Sequence, residues 1–416
     1  MSRPRAARQL VLTGVFSAAV ITYLDRVCMS VAAPAIREEF ALSSGQFSLV
    51  FAIFNLAYAI FELPASWLGD RWGQRLALTR IVSGWSLFTI VTGLVPGYWS
   101  LVAARFCFGA AEASAFPTMS RTVARWFPVS ERAWANGVMW TGSRIGGAFS
   151  PVLAVLLIAW AGWRATFVVF GVVGLVWSWC WFRWFRDDPA DHPAVTPAEL
   201  AEILVGAAPA PKPGTPLPWR ALLGNKNLLG LFCSYFASGF GFQFFVTWLP
   251  TFLIQEHRVS LLASGFYTAA PLATGAIGCV FGGALADWLS RRLGSISKGR
   301  RVVATFGFTV GAAGLLLAMR AESPQAAVAW LSLATAAHDL TLSSVWASCT
   351  DIGGSFGGTA AGFVNLASSL SGIAAPIMAA WLASAIGSFS IVLPVAAGLY
   401  LAAAVLWQFI QAGPST

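Results

Sequence analysis

Ser66-Trp67-Leu68-Gly69-Asp70-Arg71-Trp72-Gly73-Gln74-Arg75 and Gly283-Ala284-Leu285-Ala286-Asp287-Trp288-Leu289-Ser290-Arg291-Arg292 read as two copies of one pattern. Each closes a long apolar run with an Asp and follows it with a basic turn. A motif repeated at matching places in two halves is what a duplicated unit predicts. Outward from the two copies, each half divides into six apolar runs of about 20 residues, the length a membrane helix needs. They cover 10–34, 46–68, 76–94, 100–123, 134–160 and 165–184, then 228–254, 263–289, 302–319, 325–347, 359–386 and 389–410. Barrel strands alternate apolar and polar residues over about ten positions, whereas these runs are apolar on every face. The expected fold is therefore an all-α membrane protein of twelve transmembrane helices in two six-helix halves.

Composition agrees. Charged residues make up 10% of the chain and hydrophobic ones 57%, against about 25% charged in soluble domains. So little charge cannot cover a water-facing surface. The net charge of +9 raises nucleic acid as a partner, but its placement argues against that. Of the 26 Lys and Arg, most lie in the N-terminal segment or in loops after even-numbered helices: Arg3, Arg5, Arg8, Arg71, Arg75, Arg80, Arg121, Arg125, Arg132, Arg183, Arg186, Lys212, Arg220, Lys226, Arg291, Arg292, Lys298, Arg300 and Arg301. The opposite loops hold Arg37, Arg164, Arg258 and Arg320. This positive-inside bias predicts a multi-pass protein of the bacterial inner (plasma) membrane with both termini in the cytoplasm. The first apolar run is too long for a signal-peptide core and lacks a small-residue cleavage site, so it is expected to be retained. Cys28, Cys107, Cys180, Cys233, Cys279 and Cys349 fall within or at the ends of apolar runs without paired spacing, which suggests neither disulfides nor a metal site. No cofactor is implied. Nor is there a nucleotide loop or a nucleophile–base arrangement, so an enzyme is not expected.

The expected domains are an N-terminal six-helix bundle (1–186), a cytoplasmic linker (187–227) and a C-terminal six-helix bundle (228–416). Within the linker, Thr196 with Glu199 three residues on has the capping-box spacing. An exposed linker with one short helix, followed by an Ala- and Pro-rich stretch up to Pro218, is the expectation.

Two halves, a central loop and the doubled motif of an Asp and a basic turn resemble the major facilitator superfamily. The first copy departs from that family's pattern by Ser66 in place of a leading Gly, the second by Ser290 in place of a later one. The resemblance implies alternating access with substrate near the midplane. It also implies a gating role for Asp70, Arg71, Arg75 and Asp287 through charge contacts at helix ends; the plainer alternative is a generic basic turn. A monomer is the family's usual state.

Ionisable residues at a helix centre cost roughly 2.5–3.5 kcal/mol on insertion scales, so those inside the runs point to function. They are Asp25, Arg26, Glu62, Arg105, Glu112, Arg144, His338 and Asp339. Arg105 and Glu112 are seven residues apart, two turns, and project to one face. Tyr58 precedes Glu62 by one turn. Cations can hold an anion, and carboxylates in a low dielectric titrate near neutrality; together these are parts for a proton-coupled anion site. Tyr23-Leu24-Asp25-Arg26, the Arg105…Glu112 spacing, Trp126-Phe127-Pro128, Gly162-Trp163-Arg164 and Trp346-Ala347…Asp351-Ile352-Gly353-Gly354 more narrowly resemble the anion:cation symporter family, which includes bacterial galactonate and hexuronate transporters. That resemblance implies proton coupling by Asp25 and Glu112, substrate or switch contacts by Arg26 and Arg105, and pocket roles for Tyr23, Tyr58 and Asn365. Each also has a static reading: ion-pair neutralisation for the charges, helix packing for the tyrosines, an interhelical hydrogen bond for Asn365.

Arg144 either recognises a second acidic group or pairs with Glu112. Glu62 stands by the basic loop, and His338 with Asp339 either lines the pocket wall or caps one end. Gln243, Thr247 and Trp248, ahead of Pro250, are further pocket candidates. The implied function is secondary active import of a small organic anion, a sugar acid or similar carboxylate, by symport with protons. Two other classes compete: an antiporter of phosphorylated or dianionic metabolites, which the carboxylates disfavour, and a drug efflux carrier, which the three arginines disfavour.

Overall fold

The computed structural model describes residues 6–205, 219–386 and 388–413. Arg3, Arg5, Lys212 and the Ala- and Pro-rich stretch up to Pro218 lie outside them, and the side chains of Thr247 and Pro250 are not described. The α-helices run α1 (Ala6–Glu39), α2 (Ser44–Trp72), α3 (Gln74–Leu94), α4 (Tyr98–Glu112), α5 (Ala115–Trp126), α6 (Arg132–Trp184), α7 (Pro197–Ile203) and α8 (Trp219–Gly224). They continue as α9 (Lys226–Thr247), α10 (Leu249–His257), α11 (Leu261–Arg292), α12 (Ile296–Met319), α13 (Pro324–Gly353), α14 (Gly357–Ile386) and α15 (Val392–Phe409).

Among the described residues, nine helical runs are long and apolar enough to cross a membrane. Two of them, Val129–Trp184 and Pro324–Ile386, have 56 and 63 residues, about twice what one crossing needs. The first is bent at Gly162, whose φ of 80° takes it out of the helix. The second contains Gly354 at φ 52°. Counting these runs twice and adding the broken α4–α5 pair gives the twelve spans expected from the sequence.

Helix ends are fixed by local chemistry. Ser43 and Gln46 form a reciprocal capping box on α2 (3.2 and 2.9 Å). Asn225 caps α9, and Ser295 and Ser323 cap α12 and α13. The α2–α3 turn is made by Gly73 at φ 83°, a conformation that suits glycine. The second copy of the motif has Ser290 at the equivalent place and does not turn there. Instead α11 continues to Arg292, and Gly294 takes the positive φ, 61°.

Two of the expected runs are interrupted. The fourth breaks at Ala113–Ser114, with Ser114 left-handed at φ 71° and its hydroxyl in contact with those of Ser66 (2.9 Å) and Thr118 (3.2 Å). The seventh breaks at Trp248, two residues before Pro250, which has no N–H to continue the ladder.

The chain separates into two compact units. One comprises Met1–Pro128, Gly142–Thr215 and Ser355–Gly362, the other Val129–Thr141, Pro216–Gly354 and Phe363–Thr416. The first turns of α6 therefore belong to the second unit and those of α14 to the first. In the first unit α6 meets α1 through Gly142 and Gly146, where a Cβ would strike the backbone at Phe16 and Val20. In the second, Gly278 and Gly282 of α11 meet α13 in the same way at Ala336 and Leu340. Small residues one turn apart let membrane helices approach closely.

The linker departs from the expected exposure. Pro189, His192, Glu199 and Ile203 are buried. Thr196 caps α7 by accepting from the Glu199 N–H (3.2 Å), but the Glu199 carboxylate does not close the box. It accepts instead from the Arg8 N–H (3.1 Å), while the Arg8 guanidinium pairs with Glu202 (2.8 Å). Asp187 accepts from the Arg75 N–H (2.9 Å), and Asp188 pairs with Arg125 (2.8 Å). His192 lies edge-on to Trp126 and Trp184 (5.5 and 4.6 Å between ring centroids) and accepts from the Ala194 N–H at Nδ1.

Burial holds His192 below the usual histidine range. A folded-state pKa below the unfolded one means that the unfolded chain binds the extra proton, so stability falls as pH drops below about 6.5. The thermal midpoint of the detergent-solubilised protein is expected to fall from pH 7.5 to 5.5 more steeply than that of His192→Phe. Parallel curves for the two proteins would remove His192 as the cause.

Candidate functional site

The first unit gathers most of the expected ionisable residues. Asp25 and Arg26 come from α1, Tyr58 from α2, Arg105 and Glu112 from α4. Arg26 Nε lies 2.6 Å from Glu112 Oε1. Glu112 is fully buried, while the Arg26 side chain keeps 26% exposure. The guanidinium is surrounded by rings: Tyr58 at 5.1 Å, Phe54 at 5.4 Å, Tyr23 at 5.9 Å and Phe116 at 6.0 Å from its Cζ. Each such contact contributes about 0.5–2 kcal/mol. Arg105 is buried with its Cζ 4.4 Å from the Phe108 ring and 5.0 Å from Phe54.

Asp25 is buried, and among the described residues neither of its carboxylate oxygens has a hydrogen-bond partner at bonding distance. The Trp85 indole and Thr89 hydroxyl of α3 face it. Among the described residues, the second oxygen of Glu112 and the Nε of Arg105 are likewise buried without hydrogen bonds. Of Asp25, Arg26, Arg105 and Glu112, Arg26 and Glu112 form a closed pair. Such an arrangement can exchange partners: a proton on Glu112 weakens its hold on Arg26, whose exposed edge is then available to an anion.

Arg144 is buried on α6, but the closed partner of Glu112 is Arg26. Glu62 is buried on α2, one turn before Ser66, whose hydroxyl donates to the Glu62 carbonyl (2.7 Å).

Gln243, Trp248 and Asn365 lie in the second unit. Gln243 packs its amide against Gly372 of α14, where a Cβ would come within 2.9 Å of Nε2. Trp248 sits at the α9–α10 break, and Asn365 is buried on α14.

The two Asp of the repeated motif do matching work. Asp70 accepts from the Gly358 and Thr359 N–H groups (3.0 and 2.7 Å) and from the Thr359 hydroxyl (2.7 Å), so it caps the first turn of α14. Asp287 accepts from the Trp134 N–H (2.8 Å) in the first turn of α6. A carboxylate at a helix start satisfies free N–H groups and meets the positive end of the dipole. Arg71 and Arg75 are not the cations at Asp70. Arg71 lies over Trp67 (4.8 Å), and Arg75 lies over Phe182 (4.4 Å) and donates to its carbonyl. The cation at Asp70 is Arg121 (3.5 Å), which also donates to the Ser355 carbonyl.

Sequence reasoning also passed over a second buried group. Asp351 pairs with Arg132 and with Arg300 (2.7 Å), and Arg300 further donates to the Ala412 carbonyl (2.7 Å). Arg121, Arg132 and Arg300 entered the sequence reading only as loop charges. Their sole signal there was position, within two residues of the end of an apolar run.

The sequence profile of the Major Facilitator Superfamily matches residues 15–376. A Cupriavidus necator protein named "Probable sulfoacetate transporter" is 34% identical over 398 residues, covering 94% of this chain and 91% of that protein. The D-galactonate transporter of Escherichia coli O6:H1 is 30% identical over 397 residues, covering 93% and 91%. Among solved structures, a proton:xylose symporter superposes with a TM-score of 0.78 at 15% identity, covering 99% of this chain and 98% of that one; at that identity the likeness concerns the fold.

Asp351→Asn leaves two buried guanidiniums facing an uncharged amide, and breaking a buried pair costs about 3–5 kcal/mol. Asp70→Asn keeps an oxygen that can accept from Gly358 and Thr359. Size-exclusion chromatography after a heating series is therefore expected to show a larger fall in thermal midpoint for Asp351→Asn than for Asp70→Asn. Equal midpoints would mean that the Asp351 cluster is not the stronger of the two.

Proposed function

The chain belongs to the Major Facilitator Superfamily, so it is a membrane-spanning transporter rather than an enzyme, and we propose that it imports a small organic anion together with protons. The observation that carries this reading is the Arg26–Glu112 ion pair, with Asp25 and Arg105 buried in the same bundle and outside that pair. The named cargoes of the relatives, sulfoacetate and D-galactonate, are both anions. Three arginines in one unit suit a carboxylate, and Arg144 is the one proposed to recognise a second acidic group.

In the proposed cycle, protons load on Asp25 and Glu112. Protonated Glu112 releases Arg26, which with Arg105 takes the substrate carboxylate through charge-assisted hydrogen bonds. Tyr23 and Tyr58 stand beside Arg26 and offer hydroxyls to a polyhydroxy acid. Gln243, Trp248 and Asn365, which lie in the second unit, are further proposed substrate contacts. Loss of the proton from Glu112 on the inner side restores the Arg26–Glu112 pair and releases the anion. Each net charge moved inward gains roughly 2.3 kcal/mol per 100 mV of membrane potential, and each proton gains the pH gradient as well.

Gating belongs to the two motif carboxylates, Asp70 and Asp287, whose caps on α14 and α6 form or break with the conformation. Arg121 supports Asp70, while Arg71 and Arg75 shape the basic turn. The positive-inside bias supports a reading with both termini in the cytoplasm of a bacterium and the protein in its inner membrane, and a monomer of two bundles, 1–186 and 228–416, joined by 187–227, is part of this proposal.

The test is uptake into proteoliposomes of labelled galactonate, glucuronate, benzoate and sulfoacetate, with and without an inward proton gradient. Gradient-driven accumulation of one of these anions is expected. Glu112→Gln should abolish accumulation and leave counterflow. Arg26→Lys should lower uptake about 10- to 100-fold, the worth of a lost charge-assisted hydrogen bond of roughly 1.5–3 kcal/mol. Gradient-independent exchange, indifferent to Glu112→Gln, would replace symport by anion antiport.

A further inference from the structure

One aromatic ring of the first unit touches two guanidiniums of the candidate site. The Phe54 centroid lies 5.4 Å from the Arg26 Cζ and 5.0 Å from the Arg105 Cζ, inside the roughly 6 Å over which a ring face attracts a cation. Phe54 is 8% exposed. Two further rings extend the contact to either side. Tyr58, one turn along α2, is 6.0 Å from Phe54 between centroids and 5.1 Å from the Arg26 Cζ. Phe108 of α4 is 5.5 Å from Phe54 and 4.4 Å from the Arg105 Cζ. The rings run from one cation to the other with Phe54 in the middle.

The sequence builds this approach with a glycine. Gly109 stands one turn after Arg105 on α4. A Cβ there would strike the Phe54 carbonyl oxygen and lie 3.1 Å from the Phe54 ring. Hydrogen at that position lets α2 come close enough to set the ring beside Arg105. Phe54 and Tyr58, four residues apart, share one face of α2, and both reach Arg26 from it.

The ring differs from the carboxylates in how it holds the cations. Glu112 holds Arg26 as an anion, and that hold weakens when a proton is added. A phenyl face attracts through its quadrupole, and it has no proton to gain or lose. When Glu112 lets go, Arg26 and Arg105 are like charges in one bundle, and in a low dielectric such charges repel strongly at short range. A ring that attracts both offsets the repulsion in either protonation state. A substrate anion then meets the two guanidiniums already gathered, without the ordering cost of bringing them together.

We propose that Phe54 is a positioning residue of the anion site, its ring holding Arg26 and Arg105 so that both engage one anion. The substrate part of this proposal rests on the organic-anion reading above; the hold of the ring on the cations does not.

The test replaces Phe54 in the full chain by phenylalanine carrying one, two or three ring fluorines, introduced by nonsense suppression. Fluorine draws charge from the ring face and weakens its attraction for a cation stepwise, at nearly constant ring size, so packing alone is left almost unchanged. Calorimetric binding of galactonate and sulfoacetate to the protein in nanodiscs, with no gradient, is expected to weaken with each fluorine and to reach about a tenfold loss at three. Phe54→Leu is expected to lose at least as much. The same series at Phe61, an exposed α2 ring edge-on to Phe106, is expected to be flat. Binding unchanged along the Phe54 series, or an equal slope at Phe61, overturns the substrate part. The hold itself is read from the thermal midpoint, which three fluorines at Phe54 are expected to lower. The lowering is expected to be smaller in Arg26→Met and in Arg105→Met, each of which lacks one of the cations. Equal lowering in all three proteins overturns the hold and the proposal with it. If the unaltered protein binds neither anion, the organic-anion reading and the substrate part fall together, while the thermal comparison still decides whether the ring holds the cations.

Discussion

A charge removed from water inside an apolar bundle must be answered by another charge or by a hydrogen bond, and this constraint organises the molecule. It explains why Glu112 and Arg26 stand 2.6 Å apart on different helices and why four aromatic rings close around the guanidinium. Taking an ion out of water costs several kcal/mol even after relaxation. A site in which one such pair is closed, while Asp25 and Arg105 lie beside it, has alternative pairings at similar cost.

The same constraint acts at the helix ends, with backbone instead of guanidinium as the partner. Asp70 and Asp287 each hold the start of a helix whose first turns are grouped with that Asp's own unit: α14 for Asp70, α6 for Asp287. Hydrogen bonds of this kind are directional and short, so they are either made or absent. That discreteness is what a two-state element requires.

Much of this was legible in the sequence, for physical reasons. The apolar runs had to be helices because only helices and closed barrels satisfy the backbone in lipid. The charges inside those runs were conspicuous because they are costly there, and five of the residues singled out, Asp25, Arg26, Tyr58, Arg105 and Glu112, fall in one bundle. What stayed hidden depends on partners remote in sequence. The break after Glu112 has neither Gly nor Pro to announce it; the left-handed Ser114 is accompanied by contacts to Ser66 and Thr118. Arg132 is 219 residues from Asp351, and nothing local marks either as the other's partner. In the linker, the spacing of Thr196 and Glu199 predicted a cap correctly at one end only, because Arg8, 191 residues earlier, took the carboxylate.

The separation of Arg26 from Glu112 along the chain has a consequence for biosynthesis. The two are 86 residues apart, and at about 5–20 residues per second of translation the guanidinium of α1 leaves the ribosome roughly 4–17 s before the carboxylate that neutralises it. Asp25, adjacent to Arg26, emerges just as early and points elsewhere around the helix. For that interval the first helix holds two charges whose buried setting has not yet been made. It must therefore stay near water, or near the insertion machinery, until α4 arrives. Closing the ion pair is then a step of assembly, and α1 reaches its final depth only after α4 has emerged.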